Sequence, residues 1–220
     1  MSTVYDCNNE ASRAAGLNAA RGALKAGRLV VVPTDTVYGI AADAFDFDAV
    51  TSLLRAKGRG RDMPVPVLVG SWTTIDGLVA SVRPEARELI RAFWPGGLSL
   101  VVHQAPSLAW DLGDTRGTVM LRMPLHPVIL ELLREVGPLA VSSANVSGRP
   151  PATNVTEARE QLGASASVYL DGGPAEHGIA STIVDLTGDR PRILREGAVT
   201  AEALAEVLGD DPERLRSGGE

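Results

Sequence analysis

Apolar residues recur along this chain with two periods, and the alternation between them outlines the elements. Around Asn18 to Lys25, Leu17, Ala20, Arg21 and Leu24 fall at helical spacing and Gly27 supplies the stop. RLVVVP, Arg28 to Pro33, is continuously apolar and predicts a buried strand that Pro33 ends. Asp46 predicts a cap for a helix carrying Val50, Leu53 and Leu54 on one face and ending at Lys57-Gly58. VPVLV, Val65 to Val69, predicts a strand, which Pro66 assigns to an edge or a bulge. Pro84 suits the first turn of a helix running to Phe93, broken by Trp94-Pro95-Gly96-Gly97.

LSLVVH (Leu98 to His103) and TVMLRMP (Thr118 to Pro124) predict two strands joined by a loop. Helices are expected at His126 to Val136, Thr156 to Leu162 and Thr200 to Leu208, the last two with threonine caps. PLAVS (Pro138 to Ser142), SVYLD (Ser167 to Asp171), STIVDL (Ser181 to Leu186) and RILRE (Arg192 to Glu196) complete the strands. Several strands follow one another with no helix between them. The expected class is therefore α/β with a mixed parallel and antiparallel sheet and packed helices. Without repeat, low-complexity stretch or linker, 1–220 reads as one domain with a core at about 10–208 and a frayed polar tail at 209–220.

Charge narrows the partners. With 21 basic and 27 acidic side chains the net charge is −6, so a basic coat gripping nucleic acid along its length is not expected. A polyanion would have to meet a local patch. One cysteine, Cys7, permits no internal disulfide and no cysteine metal cluster, which fits a reducing compartment. No apolar run approaches the roughly 20 residues of a membrane span, and the first residues lack a signal-peptide layout. A cytoplasmic protein without membrane contact is expected.

PTDTVYG, Pro33 to Gly39, brings Thr34, Asp35, Thr36 and Tyr38 to the rim of the sheet, where ligands of α/β proteins bind. The plainer reading is a turn whose polar side chains bond their own backbone. Lys57, Arg59 and Arg61 alternate with glycines just after a helix. Cations there offset the helix dipole, yet the glycines also let backbone approach a ligand, and the set suits a phosphate clamp. SSANVSG adds Ser142, Ser143, Asn145 and Ser147 at a strand end, as ribose or phosphate ligands or as a simple turn. Arg122, inside an apolar strand, must lie at the sheet edge or find a carboxylate, either from the protein or from a substrate.

His103, His126 and His177 show no metal-ligand spacing, and no nucleophilic triad is evident. No phosphate-binding GxxxxGK[ST] loop and no GxGxxG fingerprint occur. Positioning and charge neutralisation are the chemistry left open.

Taken in order, PTDTVYG, KGR, FWPGGLSLVV, VMLRMP, SSANVSG, GIASTIVD and ILREG resemble the YrdC-like, TsaC-type family of threonylcarbamoyl-AMP synthases, from about Leu29 to Thr200. The resemblance implies a twisted mixed sheet with a basic cavity on its concave face. It implies ATP, L-threonine and bicarbonate as substrates, Mg²⁺ carried in with ATP, and a product passed to a transferase complex that modifies transfer RNA. Lys57 and Arg59 match the family's phosphate-holding and catalytic pair; Ser143, Asn145 and Arg195 match nucleotide positions; Thr34, Arg122 and Ser181 match the threonine site. Gly60, Met63, Leu68 and Ser99 depart from common family residues, Leu68 standing where some members have a histidine near the amino acid. The shortness of the chain resembles the single-domain form. Two rival readings accompany this one. The same cavity could grip transfer RNA or double-stranded RNA without catalysis, or the chain could be a nucleotide-binding regulatory subunit.

Overall fold

A computed structural model describes residues 2–175 and 178–217. Ten strands form one sheet: β1 (Thr3–Asp6), β2 (Leu29–Val32), β3 (Gly39–Asp43), β4 (Val67–Leu68), β5 (Leu98–His103), β6 (Thr118–Arg122), β7 (Leu139–Ser143), β8 (Ala166–Asp171), β9 (Thr182–Asp185) and β10 (Arg192–Arg195). Their order is β1-β8-β2-β3-β7-β4-β6-β5-β9-β10. The β1–β8, β2–β8, β4–β6 and β5–β9 pairs are parallel and the other pairs antiparallel, so the sheet is mixed as expected.

The helices are α1 (Glu10–Lys25), α2 (Phe47–Lys57), α3 (Ile75–Leu78), α4 (Pro84–Phe93), α5 (Pro127–Val136), α6 (Val155–Leu162), α7 (Ala201–Leu208) and α8 (Pro212–Ser217), with short 3₁₀ turns at Trp72–Thr74 and Gly163–Ser165. Asp46 caps α2 by accepting from Ala49 N, and Thr200 caps α7 through Ala203 N. Asn154, not a threonine, caps α6, its side chain accepting from Glu157 N. The periodicity also missed the first turns of α1, which starts where Asn9 accepts from Ser12 N.

Strand alternation divides the side chains between two cores. On β2, Val30 and Val32 face α1 and α5, packing with Leu17, Leu24, Ile129 and Leu132. Leu29 and Val31 face the opposite layer with Leu53, Leu54, Leu89 and Leu204. That two-sided burial is why the run reads as unbroken apolar sequence.

The same rule positions the site. Leu98, Leu100, Val119, Leu121 and Val184 belong to the second layer, so their neighbours Ser99, Met120, Arg122 and Ile183 point to the other face. There α1 and α5 cover the sheet from β1 to β7 and reach Leu68 of β4. The face over β6, β5 and β9 is left as a hollow.

Two expectations are overturned. Pro66 does not mark an edge: β4 lies between β7 and β6, in the middle of the sheet. The proline is tolerated because regular pairing is confined to Val67 and Leu68, while the Pro66 carbonyl accepts from Val141 N at 2.8 Å. Nor is the described part of 209–220 frayed. Leu215 of α8 is buried, and Arg216 pairs with Glu196, Glu202 and Glu213; 218–220 lie outside the described residues.

Beyond β10, the segment at 196–200 is stitched to β9 by one hydroxyl. Thr182 Oγ1, fully buried, accepts from Gly197 N at 2.8 Å and Val199 N at 2.9 Å and donates to Val199 O at 2.5 Å. Thr182→Val keeps the shape and strands those groups. It should lower unfolding free energy by about 1–3 kcal/mol, measured by urea denaturation; an unchanged midpoint would show that the segment is not held there.

Candidate active site

A cavity of about 210 Å³ opens on the uncovered part of the sheet. Its wall begins with the chain that leaves β2 and returns as β3. Thr34 Oγ1 donates to Val37 O at 2.6 Å and accepts from Thr36 N at 3.2 Å. The self-bonded turn foreseen as the plainer reading thus forms, and it also presents Thr34, Thr36 and Tyr38 to the cavity. Tyr38 pins the loop from beneath, its OH donating to Gly173 O at 2.6 Å and its amide to Ala152 O at 2.9 Å. Gly39 follows because β7 passes close: a β-carbon there would come within 2.6 Å of Val141 Cγ1.

Arg122 has a protein carboxylate. Its Nη2 donates to Asp35 Oδ1 at 2.6 Å, Nη1 to Thr36 Oγ1 at 2.8 Å and Nε to Gly96 O at 2.9 Å. Asp35 Oδ1 also accepts from Leu125 N at 2.8 Å. Both members are buried, 6% and 5% exposed. The structural ion pair is therefore present. Three of the five guanidinium N–H groups are used, and the residue lines the cavity with donors to spare. Ser181, also cavity-lining, shares a hydrogen bond with Ser99 Oγ at 2.9 Å. It accepts from Arg195 through both its carbonyl and its hydroxyl. A register shift between Ile193 and Arg195 in the β9–β10 ladder turns that arginine toward the hollow.

Lys57 departs from expectation. Gly58 ends α2 in the left-handed conformation at φ 64°, and the preceding ammonium is wholly buried beneath the loop after β7. Nζ donates to Ser143 O, to Asn145 O at 2.8 Å and to Asn145 Oδ1 at 3.2 Å. In return Ser147 N donates to Lys57 O at 2.9 Å, and Arg59 Nε donates to Ser147 Oγ at 2.9 Å. The Asn145 amide is spent on Val146 O and Arg149 O. Thus Arg59, Ser143, Arg195, Thr34, Arg122 and Ser181 line the cavity, whereas Lys57 and Asn145 form the strut behind it. All eight converge on one region. Arg61 is diverted to Asp111 at 2.6 Å.

The cations feel one another. Burial, then Arg59, lowers the Lys57 ammonium to about 7. Burial and Arg59 likewise lower Arg195; Arg122 is lowered chiefly by burial and partly by Arg195, against the pull of Asp35. Lys57, Arg59, Arg195 and Arg122 thus adjoin one another in an acidic protein, and among the described residues no carboxylate lines the cavity. Among the described residues Asp35 is the one acid paired with these cations, and it is already taken by Arg122.

Other chemistries find little support. Burial pushes the Cys7 thiol up to about 11, far from thiolate behaviour at neutral pH. His126 Nδ1 caps α5 by accepting from Val128 N, His103 lies at the surface near Thr187 O, and His177 lies outside the described residues. Among the described residues no group of three or more His, Cys, Asp or Glu is placed to hold a metal, and no helix is long and apolar enough to cross a membrane.

Asp35, Thr36 and Ser147 stand in the candidate segments with no role assigned by the family resemblance, and Ser99 enters there only as a departure from the family. A visible signal existed for Ser99, a lone hydroxyl inside the apolar run LSLVV. For Asp35 the signal was its place in the rim loop, but its partner stands 87 residues away.

Known proteins resemble this chain over most of its length. A model of the Sua5, YciO and YrdC proteins, described as "Telomere recombination", matches residues 22–197. A Mycobacterium tuberculosis (H37Rv) protein provisionally named threonylcarbamoyl-AMP synthase is 66% identical over 215 residues, covering 98% of this chain and 99% of that protein. The Bacillus subtilis threonylcarbamoyl-AMP synthase is 38% identical over 189 residues, 84% of this chain but 54% of its own length. The crystal structure of Pyrococcus abyssi Sua5 complexed with L-threonine superimposes with a TM-score of 0.88 at 32% identity, covering 96% of this chain and 61% of that one.

Proposed function

The chain belongs to the Sua5, YciO and YrdC family, and from that premise we propose that it is a threonylcarbamoyl-AMP synthase, a transferase acting by nucleotidyl transfer. The observation that carries the reading is the set of three arginines, Arg59, Arg122 and Arg195, at a cavity lined by hydroxyls and, among the described residues, by no carboxylate. Such a site is short of negative charge, and a triphosphate supplies it.

L-Threonine and bicarbonate give an N-carboxylated amino acid: the amine nitrogen bonds to the bicarbonate carbon and a C–O bond breaks, releasing water. Its carbamate oxygen forms a bond to the α-phosphorus of ATP while the α–β phosphoanhydride bond breaks, releasing pyrophosphate. Arg59 and Arg195 are assigned to the phosphates, where charge moves onto the leaving oxygens. The spare guanidinium donors of Arg122 take the threonine carboxylate, and Thr34 and Ser181 its polar atoms. Leu68, Pro66 and Met120 give that end an apolar wall suited to a methyl group. Lys57 acts indirectly, holding the backbone of Ser143 and Asn145 in place.

No covalent residue is required, since an in-line displacement is driven by alignment and charge neutralisation. Mg²⁺ fits as an ion that arrives on the triphosphate, because the cavity offers neutral hydroxyls, Ser142 and Ser143 among them, to complete a shell of phosphate and water oxygens. When bound it neutralises phosphate charge. The product is handed to a separate transferase that acts on transfer RNA, and the cytoplasm is the compartment we assign.

Incubation with ATP, Mg²⁺, threonine and bicarbonate should release pyrophosphate only when all are present. Release that ignores threonine or bicarbonate would overturn the reaction.

A further inference from the structure

A second hollow lies on the helical layer, between the 72–78 turn region and α4. It has a volume of about 310 Å³ and is lined by Trp72, Ile75, Val82, Ile90 and Trp94, with Asp76, Arg87 and Arg91 at its rim. Ile75, Ile90 and Trp94 are buried and make an apolar floor, while Trp72 stands over it 56% exposed. An indole left that open on one side is a large apolar surface without a protein partner.

Charge around the hollow is equally incomplete. Arg87, Ile90 and Arg91 share one stripe of α4 at i, i+3 and i+4, and Trp94 follows as the C-cap of the helix. Two like charges thus stand one helical turn apart, which is unfavourable unless an anion lies between them. Among the described residues neither Arg87 nor Arg91 forms an ion pair or a side-chain hydrogen bond. Arg83, just ahead of the same helix, is by contrast satisfied by Glu85, Leu186 O and Asp189 O. Asp76 stands across the hollow and disfavours an anion on its own side, so a ligand must turn its charge toward α4.

We propose that this hollow is a second ligand site, separate from the cavity of the reaction, for a small monocarboxylate with a flat apolar body. The body lies on Trp94 and Ile90 under Trp72, and the carboxylate bridges Arg87 and Arg91. The volume suits a ligand of about a dozen heavy atoms, near the lower end of small-molecule sites.

The floor of the hollow leads to the reaction cavity. Trp94 Nε1 donates to Leu98 O at 2.8 Å, and two residues after Trp94 the carbonyl of Gly96 accepts from Arg122 Nε at 2.9 Å. Ligand pressing on Trp94 therefore reaches the peptide that holds Arg122.

Indole-3-acetate is a suitable probe, followed by the indole N–H signals of the ¹⁵N-labelled protein. Saturable shifts of Trp72 and Trp94, with Trp110 unmoved, are expected, with half-saturation below about 10 mM. Arg87→Gln with Arg91→Gln should weaken binding at least about tenfold, and uncharged indole-3-acetamide should bind similarly weakly. Asp76→Asn should tighten the acid. All three positions are exposed, so folding survives these changes. Equal binding of acid and amide, equal movement of Trp110, or no saturation would overturn the site. Shifts of the same indoles on raising protein concentration alone would overturn it in favour of a second copy of this chain.

Discussion

Arg122→Ala is expected to raise the threonine concentration needed for half-maximal pyrophosphate release at least about a hundredfold, with ATP affinity little changed. Truncating one partner of a buried, hydrogen-bonded charge pair costs roughly 2–5 kcal/mol, and here the loss falls at the end of the cavity assigned to the amino acid. The substitution also strands Asp35, which is 5% exposed and would keep only Leu125 N as a recorded donor. An uncompensated buried carboxylate lowers stability by about 3–5 kcal/mol. Because instability alone can mimic a functional loss, Asp35→Asn combined with Arg122→Ala is the companion variant. It removes the stranded charge and should recover much of the melting temperature, yet threonine use should stay impaired. Equal losses toward ATP and threonine in the refolded double variant would contradict a carboxylate role for Arg122.

The second large effect concerns Lys57. Lys57→Met is close in length and fills the same space, but it removes the ammonium donor from Asn145 O and Asn145 Oδ1, and from Ser143 O, which keeps Asn145 N. Each buried acceptor left bare costs about 1–3 kcal/mol. A chain of this size loses roughly 2–4 °C per kcal/mol, so a drop of about 5–15 °C is expected together with near-complete loss of turnover. If Lys57 were a direct phosphate clamp, melting would be nearly unchanged and the defect would sit in ATP affinity alone.

A pH series adds an independent readout. Unfolded, this ammonium titrates near 10.5; in the native protein burial, then Arg59, brings it to about 7. Between those values the unfolded chain holds a proton that the native site has lost. Lys57 therefore contributes a stability that rises with pH across about 7 to 10.5 and is flat below. Lys57→Met should remove that slope, and a slope that persists would assign it to another group.

How far the chain could be read follows from the distance between partners. Elements built on local rules were legible: β2 from LVVV, α2 from Asp46 and Gly58, α4 from Pro84 and the break at Trp94. β3 was missed because GIAAD carries little strand propensity. It is a strand because β2 and β7 flank it and pair with it on both sides, with Val141 leaving no room for a β-carbon at Gly39. Pro66 misled for the opposite reason, since the local rule about edges holds only where the ladder must continue past the proline.

The site divides along the same line. The residue types were visible as motifs, and six of the eight candidates line the cavity. What the motifs could not show was which polar groups satisfy each other. Lys57 meets its oxygens 86 and 88 residues later, and Arg122 meets Asp35 87 residues earlier. Those pairings turn one expected phosphate ligand into an internal support. They also give Arg122, for which the sequence left protein and substrate carboxylates both open, a resident partner.

The parallel pairing of β8 with both β1 and β2 bears on how this chain is made. During synthesis the first strand, at Thr3–Asp6, has no ladder to join until the ribosome has added more than 160 further residues. Until then the flank of β2 stays uncovered, open to mispairing with other nascent chains. Completion of the sheet is thus a late, largely post-translational event, and a stall or truncation before residue 166 should yield aggregates rather than a smaller folded protein.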